Sequence, residues 1–269
     1  MIRNTKRGPS VLLAIAILAL AGLAEASIAV PEAAAQRRRA EPLPPTLRAK
    51  PHKSFYRGTF EVVGRVGGEE QYRVGPETIQ LGIDVSVDAD GNMFSEYTLD
   101  LGADDPSVGT TPYSVLGLVA DQWRPTLEGL PFISFLPLPE EPKAVGGEWA
   151  RLSAYTLPDL ELDFAEATRF SIESIEGDVI TILYSAEGGG TTTIEQPQFG
   201  RDAKREITRE SAREGTFVFH LTEGRVVSSE RLERIVTTSV LYVSGQDPQP
   251  GPEESQTLTF QLLPADGSR

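Results

Sequence analysis

The 269-residue sequence contains no cysteine and only two histidines, His52 and His220. Without cysteine the chain has no disulfide, thiolate metal site or thiol nucleophile, and no lipid can be attached to a processed N-terminal cysteine. Because only two histidines are present, a His-rich zinc site is excluded, and a catalytic triad would have to use His220 as its base. A strand residue satisfied by a neighbouring hydroxyl is the simpler interpretation of that histidine.

Positive charge is scarce in the part of the chain that its patterning predicts to fold. Nine of the 25 Lys and Arg residues, but only three of the 39 Asp and Glu residues, precede Phe55, which leaves 16 basic against 36 acidic residues. Because nucleic-acid binding depends on clustered Lys and Arg, we expect no nucleic-acid partner. The acidic field favours cationic partners or divalent cations, and it also keeps a protein soluble.

Long hydrophobic runs are limited to one at the N-terminus. Basic residues at positions 3, 6 and 7 precede an apolar run over residues 11–23, and small residues follow, as in a secretory signal peptide. That run is too short for a membrane span, which needs about 20 residues. The sequence predicts a signal peptide over residues 1–26, with an alternative cleavage site as late as residue 35, and a periplasmic or extracellular product.

Prolines and basic residues dominate residues 36–54, which hold too few apolar residues to fold alone. This composition predicts a solvated linker. The alternative is a basic tether, in which residues 36–53 contact anionic lipid headgroups or glycans. A β-rich domain is then expected over residues 55–263.

Alternation of apolar and polar residues predicts long antiparallel strands. Ile79, Leu81, Ile83, Val85 and Val87 share one face, and Asp90-Gly91 supplies a tight turn into a returning strand. Further alternating segments occur in both halves of the chain. The predicted fold class is mainly β: long antiparallel strands in a curved sheet, half-barrel or sandwich, with one or two short helices.

Some segments interrupt this pattern. Ser114 is a candidate N-cap of a short helix that ends near Pro125. Four prolines in residues 130–142 predict an irregular connector whose aromatic residues dock on the core. Helix and strand both fit residues 201–213 and residues 229–234.

An internal duplication is one interpretation of a short echo, in which residues 57–60 resemble residues 214–217 and residues 90–96 resemble residues 223–230. Unrelated hairpins that reuse the same turn chemistry explain the echo equally well. A true repeat would give two similar halves, residues 55–112 and 143–263, joined by residues 113–142.

A calcium site is one candidate for bound chemistry. Asp84, Asp88, Asp90 and Asn92 place oxygen atoms at alternate positions around a glycine turn, as calcium ligands do. Tyr97, however, stands where an EF-type loop has its glutamate. Solvation of a hairpin turn is the simpler interpretation.

Acidic residues are numerous enough to build a glycosidase-type acid and nucleophile from residues such as Glu96, Glu161, Asp163 or Glu173, and nothing in the sequence selects a pair. Residues 188–190 are three consecutive glycines without the lysine of a phosphate loop, so we assign them to a flexible loop. We therefore assign no catalytic, cofactor-binding or metal-binding residue, and we expect no cofactor.

One stretch supports a resemblance to known proteins. Residues 136–142 (LPLPEEP), residues 145–149 (VGGEW) and the later residues 215–217 and 224–229 are similar to uncharacterised exported β-rich proteins of bacteria, a domain of unknown function. The resemblance covers residues 115–262 and implies a proline stretch followed by a strand entry. Trp149 is then expected as a core anchor.

The long alternating strands are also similar to the curved half-barrels of envelope lipid and lipoprotein carriers, a likeness of fold alone. It implies a non-enzymatic exported protein that binds an apolar ligand or an envelope partner. The alternative is a carboxylate-dependent hydrolase of an extracellular or envelope polymer. An open apolar cavity on the inner face would favour a carrier, a filled inner face a scaffold, and two facing carboxylates in a cleft a hydrolase.

Overall fold

The computed structural model describes residues 43–102, 106–118, 136–157 and 160–265, and its secondary structure is almost entirely extended. The strands of the N-terminal part are β1 (His52–Val66), β2 (Glu69–Val87), β3 (Met93–Asp100), β4 (Ser107–Ser114) and β5 (Gly117–Leu118). Those that follow are β6 (Glu148–Leu157), β7 (Leu162–Glu176), β8 (Val179–Glu195), β9 (Lys204–His220), β10 (Arg225–Tyr242), β11 (Gln249–Pro250) and β12 (Glu254–Pro264). A 3₁₀ turn, Pro197–Phe199, precedes β9. Within the described ranges, no helix has the length and apolar character needed to cross a membrane.

All strands belong to one antiparallel sheet with the order β5-β4-β3-β2-β1-β12-β10-β9-β8-β7-β6, and β11 pairs with β10 beside this path. Strands β1 to β5 form one up-and-down meander, and β6 to β10 form a second. The last long strand, β12, lies between β1 and β10 and joins the two meanders. The predicted fold class, a curved antiparallel sheet, is confirmed, and the sheet is open at β5 and β6.

Strict alternation in the sequence accounts for these strands. In β2 the apolar residues from Ile79 to Val85 are buried, while the polar residues between them are not. The turn into β3 requires Gly91, whose φ of 86° lies in the left-handed region, and Asp88 accepts the backbone N–H of Asp90 at 2.9 Å. The predicted hairpin around Asp90-Gly91 is confirmed.

Most of the buried side chains lie on one face of the sheet, which we name the core face. A chain of four aromatic rings crosses β6 to β9 on this face. Trp149 stacks on Phe170 with 5.2 Å between ring centroids, Tyr184 lies 6.1 Å from Phe170, and Phe217 lies 4.9 Å from Tyr184. Further buried residues on this face are Tyr56, Ile172, Ile180, Ile182, Phe219, Phe260 and Leu262.

Residues 44–51, which we name the strap, pack against the core face. Leu47 is fully buried and Ala49 is 4% exposed. The Ala49 N–H donates to the Val115 carbonyl at 2.8 Å, and the Lys50 N–H donates to the Gly224 carbonyl at 3.2 Å. The solvated linker predicted over residues 36–54 is therefore wrong for its described part, because Leu47 and Ala49 are buried and β1 already begins at His52.

Residues 136–147 form an irregular connector, which confirms the described part of the segment predicted over residues 130–142; the aromatic residues of that segment lie outside the described residues. Leu136 and Leu138 are buried in the core, and the Leu138 N–H donates to the Leu116 carbonyl at 2.8 Å. The Arg48 guanidinium of the strap donates to the Pro139 and Glu140 carbonyls at 3.0 and 2.7 Å. Strap and connector are thus tied to each other.

The helix predicted from Ser114 is not formed at its start. Strand β4 runs through Ser114, whose hydroxyl donates to the Gly117 carbonyl at 3.0 Å and accepts the Leu116 N–H at 3.1 Å. These bonds close a tight turn into β5, which needs Gly117 at a φ of 84°. The remainder of that predicted helix lies outside the described residues.

The two segments that fitted either a helix or a strand, residues 201–213 and 229–234, contribute to strands. Residues 204–213 belong to β9 and residues 229–234 to β10, and the two strands pair from Arg225↔His220 to Tyr242↔Lys204. The alternation of apolar and polar residues was not recognisable in β9 because a charged residue, Arg213, occupies a buried position on the same face as the apolar residues that follow it.

The two predicted halves form one sheet rather than two similar lobes. Strand β12 from the C-terminal half pairs with β1 of the N-terminal half from Tyr56↔Pro264 to Val66↔Glu254. Residues 57–60 lie in the first strand of one meander, whereas residues 214–217 lie in the fourth strand of the other. The echo therefore joins segments in non-equivalent places.

Candidate functional site

The face opposite the core face, which we name the exposed face, carries two grooves. The first groove has a volume of about 920 Å³. Its floor is the backbone of a row of residues whose side chains point to the core face, paired strand to strand in the order Phe60, Phe260, Arg231, Gly215, Tyr184 and Phe170.

The walls of the first groove are the two neighbouring rows of side chains, which point away from the core. One wall is Thr59, Gln261, Glu230, Thr216, Leu183, Ser171 and Glu148. The other is Glu61, Thr259, Leu232, Glu214, Ser185 and Arg169. The groove thus runs across the strands from β1 to β6, roughly 29 Å at about 4.8 Å per strand.

The first groove is acidic with an apolar centre. Its wall side chains include one guanidinium and four carboxylates: Arg169, Glu61, Glu148, Glu214 and Glu230. Leu183 and Leu232 at the centre are 38% and 43% exposed. The Gln261 amide donates to Glu230 at 2.8 Å, which holds one carboxylate in place.

The second groove has a volume of about 880 Å³ and lies over β1 to β4 and the end of β12. Gly82 forms its floor, and the ring of Phe55 lies above it, 3.4 Å from where a Cβ would stand. Phe55, Leu263 and Val108 are 53%, 47% and 74% exposed, so the walls are partly apolar. Its charged residues are Lys53, Arg57, Asp84, Glu96 and Asp100, and the Lys53 ammonium lies 3.4 Å from the Asp84 carboxylate.

The two grooves adjoin at Thr59 and Gln261, which line both and face each other across β1 and β12. The insertion of β12 between the meanders therefore creates a continuous surface. Together the grooves present seven carboxylates and three basic side chains.

On the core face, four charged residues form what we name the ion cluster: Glu166, Arg213, Arg231 and Glu233, all buried. Arg213 forms ion pairs with Glu166 and with Glu233, the latter at 3.8 Å between Nε and Oε1, and Arg231 pairs with Glu233. The Thr168 hydroxyl donates to Glu166 at 3.1 Å. Two positive and two negative charges balance, as burial requires.

Register and a glycine explain how the ion cluster forms. Glu233 stands directly opposite Arg213 on neighbouring strands. Glu166 lies one strand further away and reaches across β8 because Gly188 has no side chain; a Cβ there would stand 3.0 Å from the Glu166 Cβ and 2.6 Å from the Phe164 ring. The flexible loop predicted for residues 188–190 is therefore wrong: β8 runs through the glycines, which make room for residues of β7.

Burial sets the protonation of the groups around the ion cluster. It lowers the pKa of Arg213 to about 10, with the charge of Arg231 acting in the same direction, so the guanidinium remains charged near neutral pH. Burial likewise raises the pKa of Tyr155 and of Tyr184, which keeps both phenols protonated. The cluster thus consists of fixed charges next to neutral phenols.

The residues considered for calcium serve the hairpin turn. The Asp88 carboxylate accepts the backbone N–H groups of Asp90 and Asn92, each at 2.9 Å, and the Asn92 side chain at 3.2 Å. The hydrogen bonds from Asn92 lower the pKa of Asp88. Asp84 lies on the strand and pairs with Lys53. In the described part of the chain, no three acidic or histidine side chains form a metal-binding group.

Both histidines contact turns at strand ends. The His52 Nδ1–H donates to the Lys50 carbonyl at 2.8 Å, and burial lowers the pKa of this ring. His220 accepts the Glu223 N–H at Nδ1, at 3.3 Å, and its Nε2 lies 3.9 Å from the Glu223 carboxylate. His220 is therefore engaged with a turn rather than with a serine hydroxyl.

The four carboxylates named for a hydrolase lie on different parts of the structure. Glu161 is in the β6–β7 turn at a φ of 48°, Asp163 and Glu173 are on β7, and Glu96 is on β3. Only Glu96 lines one of the two grooves, where it stands across from Asp84 on the next strand. That facing pair already includes an ion-paired carboxylate.

Trp149 packs as the core anchor that its place at a strand entry predicts. Its ring stacks on Phe170, with 13° between the ring planes, and its Nε1–H donates to the Pro137 carbonyl at 2.9 Å. The indole therefore ties the connector to β6 and β7.

Three basic residues of the predicted tether contact the rest of the fold. Arg48 holds connector carbonyls, Lys50 donates from Nζ to the Thr222 carbonyl at 2.8 Å, and Lys53 pairs with Asp84. These contacts leave fewer charges for an anionic surface than the sequence suggests. The arginines at positions 37–39 lie outside the described residues.

The ion cluster was not predicted from the sequence, although the sequence contains a signal for it. Glu166 follows the same alternation as Phe164 and Phe170, and Arg213 the same alternation as Phe217 and Phe219. A charged residue in phase with buried apolar residues on a predicted strand indicates a buried charge that needs a partner.

No known protein family matches the sequence, and no curated protein matches it.

Proposed function

We propose that the chain is an exported, non-enzymatic envelope or extracellular protein that binds an extended, basic segment of a partner protein on its exposed face. The N-terminal signal-peptide pattern supports export. The observation that carries the proposal is the pair of adjoining grooves, which are acidic at their walls and apolar at Leu183, Leu232 and Phe55.

Charge and dimensions both support a cationic peptide as the occupant. The grooves carry seven carboxylates against three basic side chains, and Arg73 beside them pairs with Glu61, which leaves an excess of three negative charges. This excess attracts positive charge, and each exposed ion pair contributes about 0.2–1 kcal/mol. A groove of roughly 29 Å matches about nine residues of extended chain at about 3.3 Å each. Apolar side chains of such a segment would contact Leu183 and Leu232.

The filled core face supports a surface site over internal carriage of an apolar ligand. Tyr56, Phe170, Phe217 and Phe260 on that face are at most 2% exposed, and the strap packs against them within one core. A hydrolase receives less support, because the buried carboxylates of the ion cluster are neutralised by arginines.

A nine-residue peptide that alternates arginine and leucine, carrying a fluorescent label, tests the proposal by fluorescence anisotropy against protein expressed from the full chain. We expect saturable binding that weakens with added salt. A peptide that alternates glutamate and leucine should bind at least tenfold more weakly. The double reversal Glu214→Lys and Glu230→Lys should weaken binding of the arginine peptide by about tenfold or more, from lost attraction and new repulsion.

The matched control reverses two exposed glutamates outside both grooves, Glu173→Lys and Glu195→Lys. This variant has the same net charge as the groove variant and should keep more than half of the wild-type affinity. Equal binding of the two peptides, or equal weakening by both double reversals, would overturn the proposal. Mass spectrometry of an organic extract of the purified protein is a second test, since a stoichiometric apolar compound would favour the carrier instead.

A further inference from the structure

Among the residues that the structure describes, strand β6 ends the sheet with one side unpaired. It is ten residues long, contains neither proline nor lysine, and pairs with β7 along its whole length on one side. Among the described residues, no backbone hydrogen bond joins its other side to another segment. A long unblocked edge of this kind is a template for a further strand.

The exposed face next to this edge is apolar and smooth. Leu152 is 79% exposed, and Ala150 and Ala154 flank it on the same face. The partners of Leu152 and Ala154 on β7, which are Ala167 and Ala165, extend the small apolar area, whereas Ala150 pairs with Arg169. A strand added to β6 would cover Leu152.

The sequence of β6 is nearly symmetric in residue type about Leu152. One step away on either side are the polar residues Arg151 and Ser153, and two steps away are two alanines. Three steps away are two aromatic residues, Trp149 and Tyr155. A strand with this symmetry is complementary to an antiparallel copy of itself.

We infer that β6 pairs antiparallel with β6 of a second copy of this chain, with Leu152 facing Leu152 across a two-fold axis. Each Ala150 then meets an Ala154, and each Arg151 meets a Ser153. The axis is perpendicular to the sheet, so the exposed faces and grooves of both copies lie on the same side.

Side-chain chemistry selects this register over its neighbours. Centring the pairing on Arg151 places two guanidinium groups directly opposite each other, which is destabilising. Centring it on Leu152 opposes no like charges and brings each Trp149 beside a Tyr155 on the core face. Those rings already stack on Phe170 and Phe164 at 5.2 and 5.3 Å, so the pairing extends an aromatic layer across the seam.

A single pair of ten-residue strands buries a small interface, so we expect a dimer with a dissociation constant in the micromolar range. Sedimentation velocity of protein from the full chain, over about 1–300 µM, should show a monomer converting to a dimer. Leu152→Lys should leave the protein monomeric over the same range. Phe199→Lys, which changes an exposed aromatic residue on the β8–β9 turn, should dimerise like the wild type.

Disulfide trapping tests the register, because the wild-type chain has no cysteine. Under mild oxidation, Leu152→Cys should form a covalent dimer at least tenfold faster than Ala154→Cys, whose two sulfur-bearing residues would stand about 14 Å apart, beyond the reach of a disulfide. Mixing Ala150→Cys with Ala154→Cys protein should restore fast linkage.

A wild-type protein that remains monomeric at every concentration, with Leu152→Cys linking no faster than Ala154→Cys, would overturn the inference. Fast linkage of Ser153→Cys in place of Leu152→Cys would overturn the register. Neither the sedimentation nor the disulfide-trapping experiment uses the basic peptide, so a failure of the dimer can be distinguished from a failure of the proposed function.

Discussion

Removing the positive charge of Arg213 should destabilise the fold far more than removing a whole buried ion pair. Arg213 and its partners Glu166 and Glu233 have side chains that are at most 1% exposed. Arg213→Met keeps a long side chain but leaves Glu166 without a cation, while Glu233 keeps Arg231. Removing one partner of a buried pair costs about 3–5 kcal/mol, because the remaining charge is buried and uncompensated.

The double variant Arg213→Met, Glu166→Gln removes both charges and leaves Arg231 and Glu233 as a neutral pair. Buried ion pairs replaced as a unit by uncharged residues cost little. We therefore expect the double variant to lie within about 2 kcal/mol of the wild type. Because Arg213→Met alone costs about 3–5 kcal/mol, the double variant should be at least about 1 kcal/mol more stable than that single variant.

Urea unfolding followed by tryptophan fluorescence measures these free energies, and the slope of each transition checks that the compared states are the same. The control is Lys53→Met, which breaks the exposed pair with Asp84 on the same sheet and should cost under about 1 kcal/mol. Costs for Arg213→Met and Lys53→Met within error of each other would refute the ion cluster. A double variant no more stable than Arg213→Met alone would refute the coupling of Arg213 to Glu166.

Further predictions concern the strap and its surroundings. Leu47→Ala should destabilise the protein by about 2–5 kcal/mol, as in other cores, and a change near zero in urea unfolding would contradict a packed strap. Gly224→Ala should cost about 1–3 kcal/mol more than Gly177→Ala in the same assay. The two glycines have nearly the same φ, 64° and 62°, so the backbone strain should be similar. Only at Gly224 would the added Cβ meet the strap, 2.6 Å from Cγ and 2.7 Å from the backbone nitrogen of Lys50. Equal costs would contradict that contact. Burial lowers the pKa of His52 below its unfolded value of about 6.5, so folding favours the neutral ring. The stability of the protein should therefore fall as the pH drops through that value. His52→Gln should remove this part of the pH dependence of the urea midpoint.

Local patterns in the sequence were sufficient to predict the strands and the hairpin. In β2 the alternation from Ile79 to Val85 matches the buried and exposed sides, and Asp90-Gly91 supplies the turn that the backbone requires. Both signals lie within a few residues along the chain. They therefore needed no knowledge of distant partners.

The strap shows where composition misleads. Its prolines and basic residues resemble a solvated linker, yet Leu47 and Ala49 are buried and Arg48 donates to carbonyls more than 90 residues away. Charge on the strap satisfies backbone groups of other segments, which composition does not reveal. The helix expected from Ser114 failed for a related reason, since a hydroxyl that can cap a helix can also close a turn.

The grooves could not be predicted from local sequence patterns, because their walls are formed by residues that are far apart in the sequence. Thr59 and Gln261 face each other only because β12 returns to lie beside β1. No short-range signal specifies that insertion. The acidic composition predicted a cationic partner, but the topology determines where the carboxylates gather.

The ion cluster and the first groove are two sides of the same strands, so the register that brings the buried charges together also aligns the groove walls. The backbone of Arg231 forms part of the groove floor, while its side chain pairs with Glu233 beneath. A two-residue slip between β9 and β10 would separate Arg213 from Glu233 and also misalign Glu214 and Leu232 in the groove wall.

Buried charges that specify register need not raise stability, so the two effects can be separated in the Arg213→Met, Glu166→Gln variant. This variant should unfold at nearly the wild-type urea concentration, yet its β9 and β10 amides should exchange with deuterium at least tenfold faster, because one alignment of these strands is less strongly preferred. Amides of β2, which lie outside the ion cluster, should exchange at wild-type rates. Full wild-type protection of β9 and β10 would show that apolar packing alone sets the register of the groove walls.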